Sequence, residues 1–368
     1  MPQPIATQPI KLGILIDTLV SEDIEPDARV VIKNTFTLIF DDAFQQGVLD
    51  RPVELVYREV DGLPRGSVRA AVDAYGELCD EGCLAVFGPH ISENACTVRD
   101  EIERRFMVPS IGLYGTDEAL GEWTFGLPNG SMTDEPIIWA HLIAKAGHSN
   151  VGVLWERGLT GEAHLKGFRR ACRDEGLVIV AEESIAQTGL DIVEEVARLR
   201  AAGAEVLVLC GYGMGVLKIN EALTHLGWDP PRYTGTALED GYGLTALWDA
   251  FVGWIGLEQY DEANQVGQRF LDRYEEVYGD RPEYWAPVVV HDAAVAFLDA
   301  FVNAEPLSPR GVKDALERVK MLPAASGAPG TRVSFGRWTR RGWMGAGYLV
   351  ARRLDPHKRI SHFVGRYE

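Results

Sequence analysis

Short apolar runs and amphipathic stretches alternate through the first two thirds of the chain. The run 10–17, IKLGILID, reads as a strand, and 28–47, ARVVIKNTFTLIFDDAFQQG, has helical apolar spacing that ends on a glycine cap. VELVYREVD (53–61) predicts a second strand, 68–79 a helix, CLAVFGP (83–89) a strand, 92–106 a helix and VPSIGLYG (108–115) a strand. After the less regular stretch WTFGLPNGSMTDEP the rhythm restarts with a helix over 136–146, the strand NVGVLWE (150–156) and the helix GEAHLKGFRRACRDEG (161–176). LVIVAEESI, GLDIVEEVARLRAAG, AEVLVLCG and the amphipathic run after three closely spaced glycines continue it. Strands that alternate with helices in this way predict an α/β fold of parallel sheets covered by helices, and two such units in tandem predict two Rossmann-like lobes.

The last third breaks the symmetry. GWIGLEQY (253–260) predicts a strand, helices follow near 263–278, 287–304 and 309–319, and TRVSFG and GAGYLVARRL look like antiparallel strands. Too few strands remain for a third lobe, so the chain is expected to cross back and complete the two earlier sheets. The expected division is residues 1–127 with about 260–335 in lobe 1, and about 128–259 with 336–368 in lobe 2. Several hinge crossovers join the lobes, and a ligand cleft lies between them.

Composition narrows the function classes. A chain of 368 residues, 46% apolar and 24% charged, is ordinary globular usage with room for two cores. Its net charge of -18 argues against nucleic acid, whose phosphates need a basic footprint. The C-terminal stretch RWTRRGWMGAGYLVARRLDPHKRISHF is basic against this background and reads as a solvated strand region that pairs with the acidic body. No run is read as approaching a membrane span, so no membrane insertion is expected. MPQPIATQPIKLGILID lacks a signal-peptide pattern, which as written places the chain in the cytoplasm; a processed mature form would instead be periplasmic or at the cell surface. Five cysteines without a C-x-x-C pair predict small buried hydrophobes, with no disulfide framework and no zinc or other metal site.

The three glycines raise the question of a cofactor. LVLCGYGMGV (207–216) is a glycine-rich turn between a strand and a helix, the place where a pyrophosphate rests on a helix N-terminus. Its spacing is G-x-G-x-G, and no acidic residue follows at the end of a second strand to take a ribose, since Asp229 and Glu239 lie in loops. The chain also lacks G-x-x-x-x-G-K-[ST], a G-x-S-x-G elbow and H-E-x-x-H. No cofactor and no catalytic residue is predicted; a nucleotide-dependent enzyme is the minority alternative.

The tandem organisation, with VFGPHISENACTVRDEIERRFMVPSIGLYGTDEAL (86–120), LWERGLTGEAHLKGFRRACRDEGLVIV (154–180) and AEVLVLCGYGMGVLKINEALTHLGW (204–228), resembles the type 1 periplasmic binding proteins. The likeness is to their branched-chain amino acid and amide-binding branch, over about residues 10–355. It implies that Ser92, where the helix after the third strand begins, holds a ligand carboxylate together with backbone N–H groups. A serine is also a favoured helix cap with no ligand at all, and that reading stays open. His90 and Ile91 join the same turn as candidates. The resemblance further implies ligand contacts at Thr116, at the carbonyl of position 114 and at Thr160. Tyr114 stands where the family has alanine, so its ring would shrink the pocket or supply a stacking wall, the alternative being a ring packed on the lobe surface. Tyr212 coincides with a tyrosine that closes over the ligand. The family's ammonium-binding carboxylate falls on Ala237, with Glu239 and Asp240 a short gap away. Trp285 is a further candidate, either at the cleft or as a wedge between the lobes.

The implied mechanism is binding without turnover. A small organic ligand (an amino acid, an amide or another small carboxylate, aromatic ones included) would settle on lobe 1, and lobe 2 would swing Tyr212 and Glu239 over it. Two outputs are open: delivery to a membrane permease of the ABC type, or cytoplasmic sensing that regulates a partner protein. A homodimer is a further possible partnership.

Overall fold

Because each β-α step brings the chain back running the same way, consecutive strands pair in parallel and their helices cover the sheet faces. The computed structural model describes residues 8–17, 28–63, 66–186 and 191–367. The first unit runs β1 (Ile10–Ile16), α1 (Ala28–Gln45), β2 (Val53–Glu59), α2 (Val68–Asp80), β3 (Ala85–Phe87), α3 (Ser92–Glu101), β4 (Ser110–Gly112) and β5 (Thr124–Gly126). The second runs α4 (Glu135–Lys145), β6 (Asn150–Glu156), α5 (Leu159–Glu175), β7 (Val178–Ile185), α6 (Val193–Ala201), β8 (Val206–Cys210), α7 (Val216–Leu226), β9 (Arg232–Tyr233), α8 (Asp240–Gly243), α9 (Thr245–Phe251) and β10 (Trp254–Glu258). The chain then adds α10 (Gln265–Tyr278), α11 (Trp285–Asn303), α12 (Pro309–Leu316), the short pair β11 (Leu322–Pro323) and β12 (Arg332–Val333), and finally β13 (Val350–Leu354) and β14 (Ser361–Arg366).

Two sheets result. The first has the order β2-β1-β3-β4-β5 and is parallel at every pair. The second has the order β14-β13-β10-β9-β8-β6-β7, parallel from β10 to β7, with β13 and β14 added antiparallel at the β10 edge. Leaving out those last two strands, the sheets have the same winding. In each, the second strand lies on one side of the first and the third lies on the other, which opens a crevice beyond the strand ends between β1 and β3 and between β6 and β8.

The pleat of β1 feeds two cores. Ile14 joins Phe36, Phe87 and Phe297 on one face, and Leu15 joins Tyr75 and Val98 on the other. On the first face α1 and α11 meet through aromatic rings, with Phe36 and Phe297 at 6.5 Å and Phe40 and Phe301 at 6.0 Å. Residues 285–303 thus return to the first sheet, while β10, β13 and β14 complete the second.

Some expectations need correction. WTFGLPNGSMTDEP is not irregular throughout, because Thr124–Gly126 pairs with β4 as the edge strand β5. The apolar runs 83–89 and 108–115 yield only three-residue ladders. The helix expected from 287 begins at Trp285, and Pro287 is tolerated because the N–H groups of the first helical turn have no partner in the helix anyway. That helix is also long and apolar enough to cross a membrane by length and composition, with mean hydropathy 1.5 over an 18-residue window. Its apolarity has a structural cause: it packs on α1, and 67% of the window is buried within the protein. The basic C-terminal stretch does pair with acids, Arg340 with Glu317 and Arg341 with Asp117 and Asp134. It is not solvated throughout, since Arg352 is fully buried between Glu258 and Glu262. All five cysteines are free. The first residues of the helical run 189–203 lie outside the described residues.

Three passages between the sheets run side by side. The Trp343 indole donates to the Pro128 carbonyl at 2.9 Å, the Tyr348 hydroxyl donates to Asp134 at 3.0 Å, and the Gly327 N–H donates to the Gln259 carbonyl at 2.6 Å. Arg341 bridges in parallel to Gly126, so the run just before Trp343 adjoins the first sheet before β13 returns to the second.

Candidate functional site

The strand that begins each unit ends in a carboxylate, and each carboxylate organises the loop that follows the third strand. In the first unit Asp17, fully buried beyond β1, accepts N–H bonds from His90 at 2.7 Å and Ile91 at 3.2 Å, and a side-chain bond from Asn94 at 2.9 Å. Gly88 makes the turn possible: its φ is +114°, and a Cβ there would stand 2.4 Å from the Leu15 carbonyl oxygen. In the second unit Glu156, the last residue of β6, accepts from the N–H groups of Tyr212 at 2.7 Å, Gly213 at 3.2 Å and Gly215 at 2.8 Å. Gly211 has φ +149°, and a Cβ there would meet Glu156 Oε2 at 2.4 Å.

The glycine-rich loop is therefore an anion nest, and its anion is the protein's own carboxylate. The N–H groups a phosphate would use are already engaged. Burial pushes the Glu156 carboxyl up, and the bonds from Gly215, Tyr212 and Gly213 pull the other way.

This nest aims Tyr212 at the other lobe. Its hydroxyl donates to Glu93 Oε2 at 2.7 Å, so a side chain carried by the second sheet reaches the first turn of α3. The hydroxyls of Ser92 and Thr160 lie beside the phenol. Burial, and the charge of Glu93 next to it, raise the Tyr212 phenol well above its ordinary value, so it stays a neutral donor. Ser92 is 4% exposed and Thr160 6%, and the Thr160 hydroxyl is buried without a regular hydrogen bond.

Ser92 is not the cap of its helix. Ile91, in extended conformation, occupies the cap position, and no side chain bonds to the first turn there. Among the described residues the N–H groups of Ser92, Glu93 and Asn94 have no acceptor, as the first turn of a helix leaves them. They remain available to an anion or a carbonyl oxygen at the lobe junction.

The other predicted residues divide. His90 packs its ring on Phe87 and accepts from the Leu113 N–H at Nδ1, 3.4 Å away, which leaves the proton on a buried Nε2 that has no partner. Burial lowers its pKa and keeps it neutral. Thr116 is 6% exposed and its hydroxyl accepts from the Glu118 N–H, opening a short 3-10 turn. Tyr114 is neither a stacking wall nor a surface ring. Its side chain turns inward among Ala95 and Ala119, and its hydroxyl donates to the Phe125 carbonyl at 2.9 Å. Glu239 is buried beside the lobe passages, where Oε2 accepts from Asn129 at 3.0 Å and Oε1 has no partner. Burial, reinforced by the nearby Glu258, Glu135 and Asp240, drives its carboxyl well above the usual range. Trp285 opens α11 and touches both large cores, with its indole N–H buried and unpaired.

Ser92, Thr160 and Tyr212 are thus brought together from two lobes, whereas no hydrogen bond among the described residues joins Glu239 or Trp285 to them. Sequence reasoning missed Asp17, Glu156 and Glu93. The first two carried a readable signal, because each unit's first apolar run, GILID and GVLWE, closes on an acid. Glu93 carried none, since its partner Tyr212 is 119 positions away.

Residues 9–346 match the family described as periplasmic binding protein. Similar solved structures include a periplasmic binding protein type 1 from Bordetella pertussis Tohama I, with a TM-score of 0.79 and 16% identity over 97% of this chain and 100% of that one. A branched-chain amino acid transporter substrate binding protein from Streptococcus pneumoniae in complex with isoleucine has a TM-score of 0.77 and 16% identity, over 97% of this chain and 100% of that one. A branched chain amino acid ABC transporter from Thermus thermophilus with bound valine has a TM-score of 0.74 and 16% identity, over 99% of this chain and 97% of that one. At such identities the likeness is one of fold.

Proposed function

The chain belongs to the periplasmic binding protein family, and we propose that it holds a small organic ligand between its two lobes, without turnover, for delivery to an ABC-type membrane permease. The observation that carries this reading is the Tyr212–Glu93 hydrogen bond, a contact between lobes made next to unpartnered polar groups of both. A ligand shifts the open–closed equilibrium only through contacts that differ between the two forms, so it must touch both walls. On lobe 1 the ligand's acceptor end meets the first-turn N–H groups of α3, the Ser92 hydroxyl and His90 Nε2, with Ile91, Thr116 and the Tyr114 carbonyl at its side. On lobe 2 it meets Thr160 and Tyr212. The ligand classes that fit are amino acids, amides and other small carboxylates, and the relatives crystallised with isoleucine and with valine support the first of these. Export beyond the cytoplasmic membrane goes with delivery to a permease; cell fractionation that found the native protein only in the cytosol would rule delivery out.

Binding is tested by thermal shift and calorimetric titration against amino acids, amides and aromatic carboxylates. Tyr212→Phe and Ser92→Ala should each weaken the best ligand by roughly threefold to tenfold, the worth of one hydrogen bond at about 0.5–1.5 kcal/mol. Equal affinity for the wild type and both variants would remove these residues from the site. A melting shift with ATP or NAD instead would reopen the enzyme reading.

A further inference from the structure

We propose that the hairpin carrying Trp338 is a docking tip for an anionic lipid surface, held there by one indole and the cations around it. The proposal goes beyond the ligand-binding reading and does not rest on it.

Residues 318–354 contain eight Arg or Lys and no Asp or Glu, in a chain whose net charge is -18. Within this block the chain builds a narrow ribbon: β11 pairs with β12, Val333 pairs antiparallel with Trp343, and Gly336 pairs with Thr339. Arg337 and Trp338 are therefore the two residues of the turn at its end. Trp338 is 87% exposed, whereas the other exposed large hydrophobic side chains among the described residues lie between 36% and 56%. Arg337 stands over the indole at 5.1 Å and has no acid partner among the described residues. Alternation along the ribbon turns Val333, Phe335 and Trp343 inward, so Arg332, Ser334 and Met344 face outward. The exposed Met321 joins them, its N–H donating to the Ser334 hydroxyl at 2.7 Å. Lys320 reaches the base of the turn, where it donates to the Phe335 carbonyl.

The shape suits a fluid surface better than a protein one. A two-residue tip offers no pocket and too little area for a specific protein interface, which buries about 800 Å² on each partner. Tryptophan, by contrast, settles at a membrane–water boundary, and cations beside it gain from anionic headgroups. The ribbon is also stiff before it lands, because its base is fixed. Phe335 packs edge-on against Phe125 at 5.1 Å, and Arg340 bonds to Glu317 and to the Gly121 carbonyl. The acidity of the whole chain does not oppose the contact. Charges in water act across only about 8 Å at physiological ionic strength. The acids bonded to the ribbon, Glu317, Asp117 and Asp134, are already paired with Lys313, Arg340 and Arg341.

The test is sedimentation of the full chain, without any small ligand, with vesicles of phosphatidylglycerol and phosphatidylcholine in equal parts and with vesicles of phosphatidylcholine alone. The wild type should bind the anionic vesicles reversibly, half-completely at roughly 0.1–1 mM lipid as a single weak anchor does, and should leave them in about 0.5 M NaCl. Trp338→Ala and Arg337→Glu should each cut that binding about fivefold or more, with the melting temperature unchanged because both side chains are exposed. Trp338→Phe should keep part of it. Lys166→Glu, the same charge reversal at an exposed position of α5, should leave binding as it is. An equal loss in Lys166→Glu would reduce the effect to net charge and overturn the assignment to the hairpin, as would wild-type binding by Trp338→Ala and Arg337→Glu. Equal binding to both vesicle types would overturn the choice of an anionic surface. No binding to either would overturn the proposal and leave the hairpin to an acidic protein surface.

Discussion

Gly211 shows how far one residue type can constrain this site. Its φ of +149° and the 2.4 Å approach of Glu156 Oε2 to a would-be Cβ both forbid a side chain. Gly211→Ala should destabilise the protein by about 2 kcal/mol or more, since backbone strain of this kind costs about 1–3 kcal/mol before any clash; urea denaturation measures it. Glu239 makes a prediction about pH. Its folded-state carboxyl titrates well above the unfolded value, so below the unfolded value its contribution to stability is fully present, and it is lost as pH rises through the folded value. Glu239→Gln should therefore raise the melting temperature at pH 8 and approach the wild type near pH 4, as the carboxyl of the wild type protonates in both states. A gap that grew on acidification would contradict the sign. That Tyr212 and Ser92 would come near each other was legible through the resemblance to a family, and the glycine turn from residue type. The orientation of Tyr114 was not, because a ring after a strand can turn inward or outward, and the deciding acceptor, the Phe125 carbonyl, belongs to a strand the pattern did not reveal.

Elements were legible where their apolar pattern had a single explanation. The long helices α1, α5 and α11 and the strands β1, β6 and β8 follow from spacing alone. The edge strand β5 was hidden because it is three residues long and is followed closely by Pro128, Asn129 and Gly130, which read as a loop. α11 presents the opposite difficulty, an apolarity strong enough to suggest a membrane. Its actual partners are α1 and α12, and Phe297 at its centre is fully buried against Phe36 and Phe301. Phe297→Ala should cost about 3–5 kcal/mol, read from the shift of the denaturation midpoint, because it leaves a cavity between two helices. A loss under 1 kcal/mol would mean that the α1–α11 contact closes over the gap.

At the scale of the whole molecule, the repetition of one strand order in two sheets places two strand-end crevices in one protein, and the structure joins them through Tyr212 and Glu93. The tandem rhythm made this arrangement legible, but the contact across the junction was not, because distance along the chain says nothing about which loops will face each other. Tyr212→Ala removes that contact. It should shift the unliganded protein toward an open form, seen as a larger radius of gyration in small-angle scattering. An unchanged radius would mean that the passages between the lobes, tied by Trp343, Tyr348 and Gly327, hold the closed form without it.

The two caged carboxylates also bear on how quickly a ligand can be caught. Each belongs to the same lobe as the loop it holds, so separating the lobes breaks the Tyr212–Glu93 bond and leaves both cages whole. An arriving molecule then meets these two loops already built. Capture should follow single-phase kinetics at an ordinary association rate of about 10⁵–10⁷ M⁻¹s⁻¹, with differences between ligands expressed in how long each one stays.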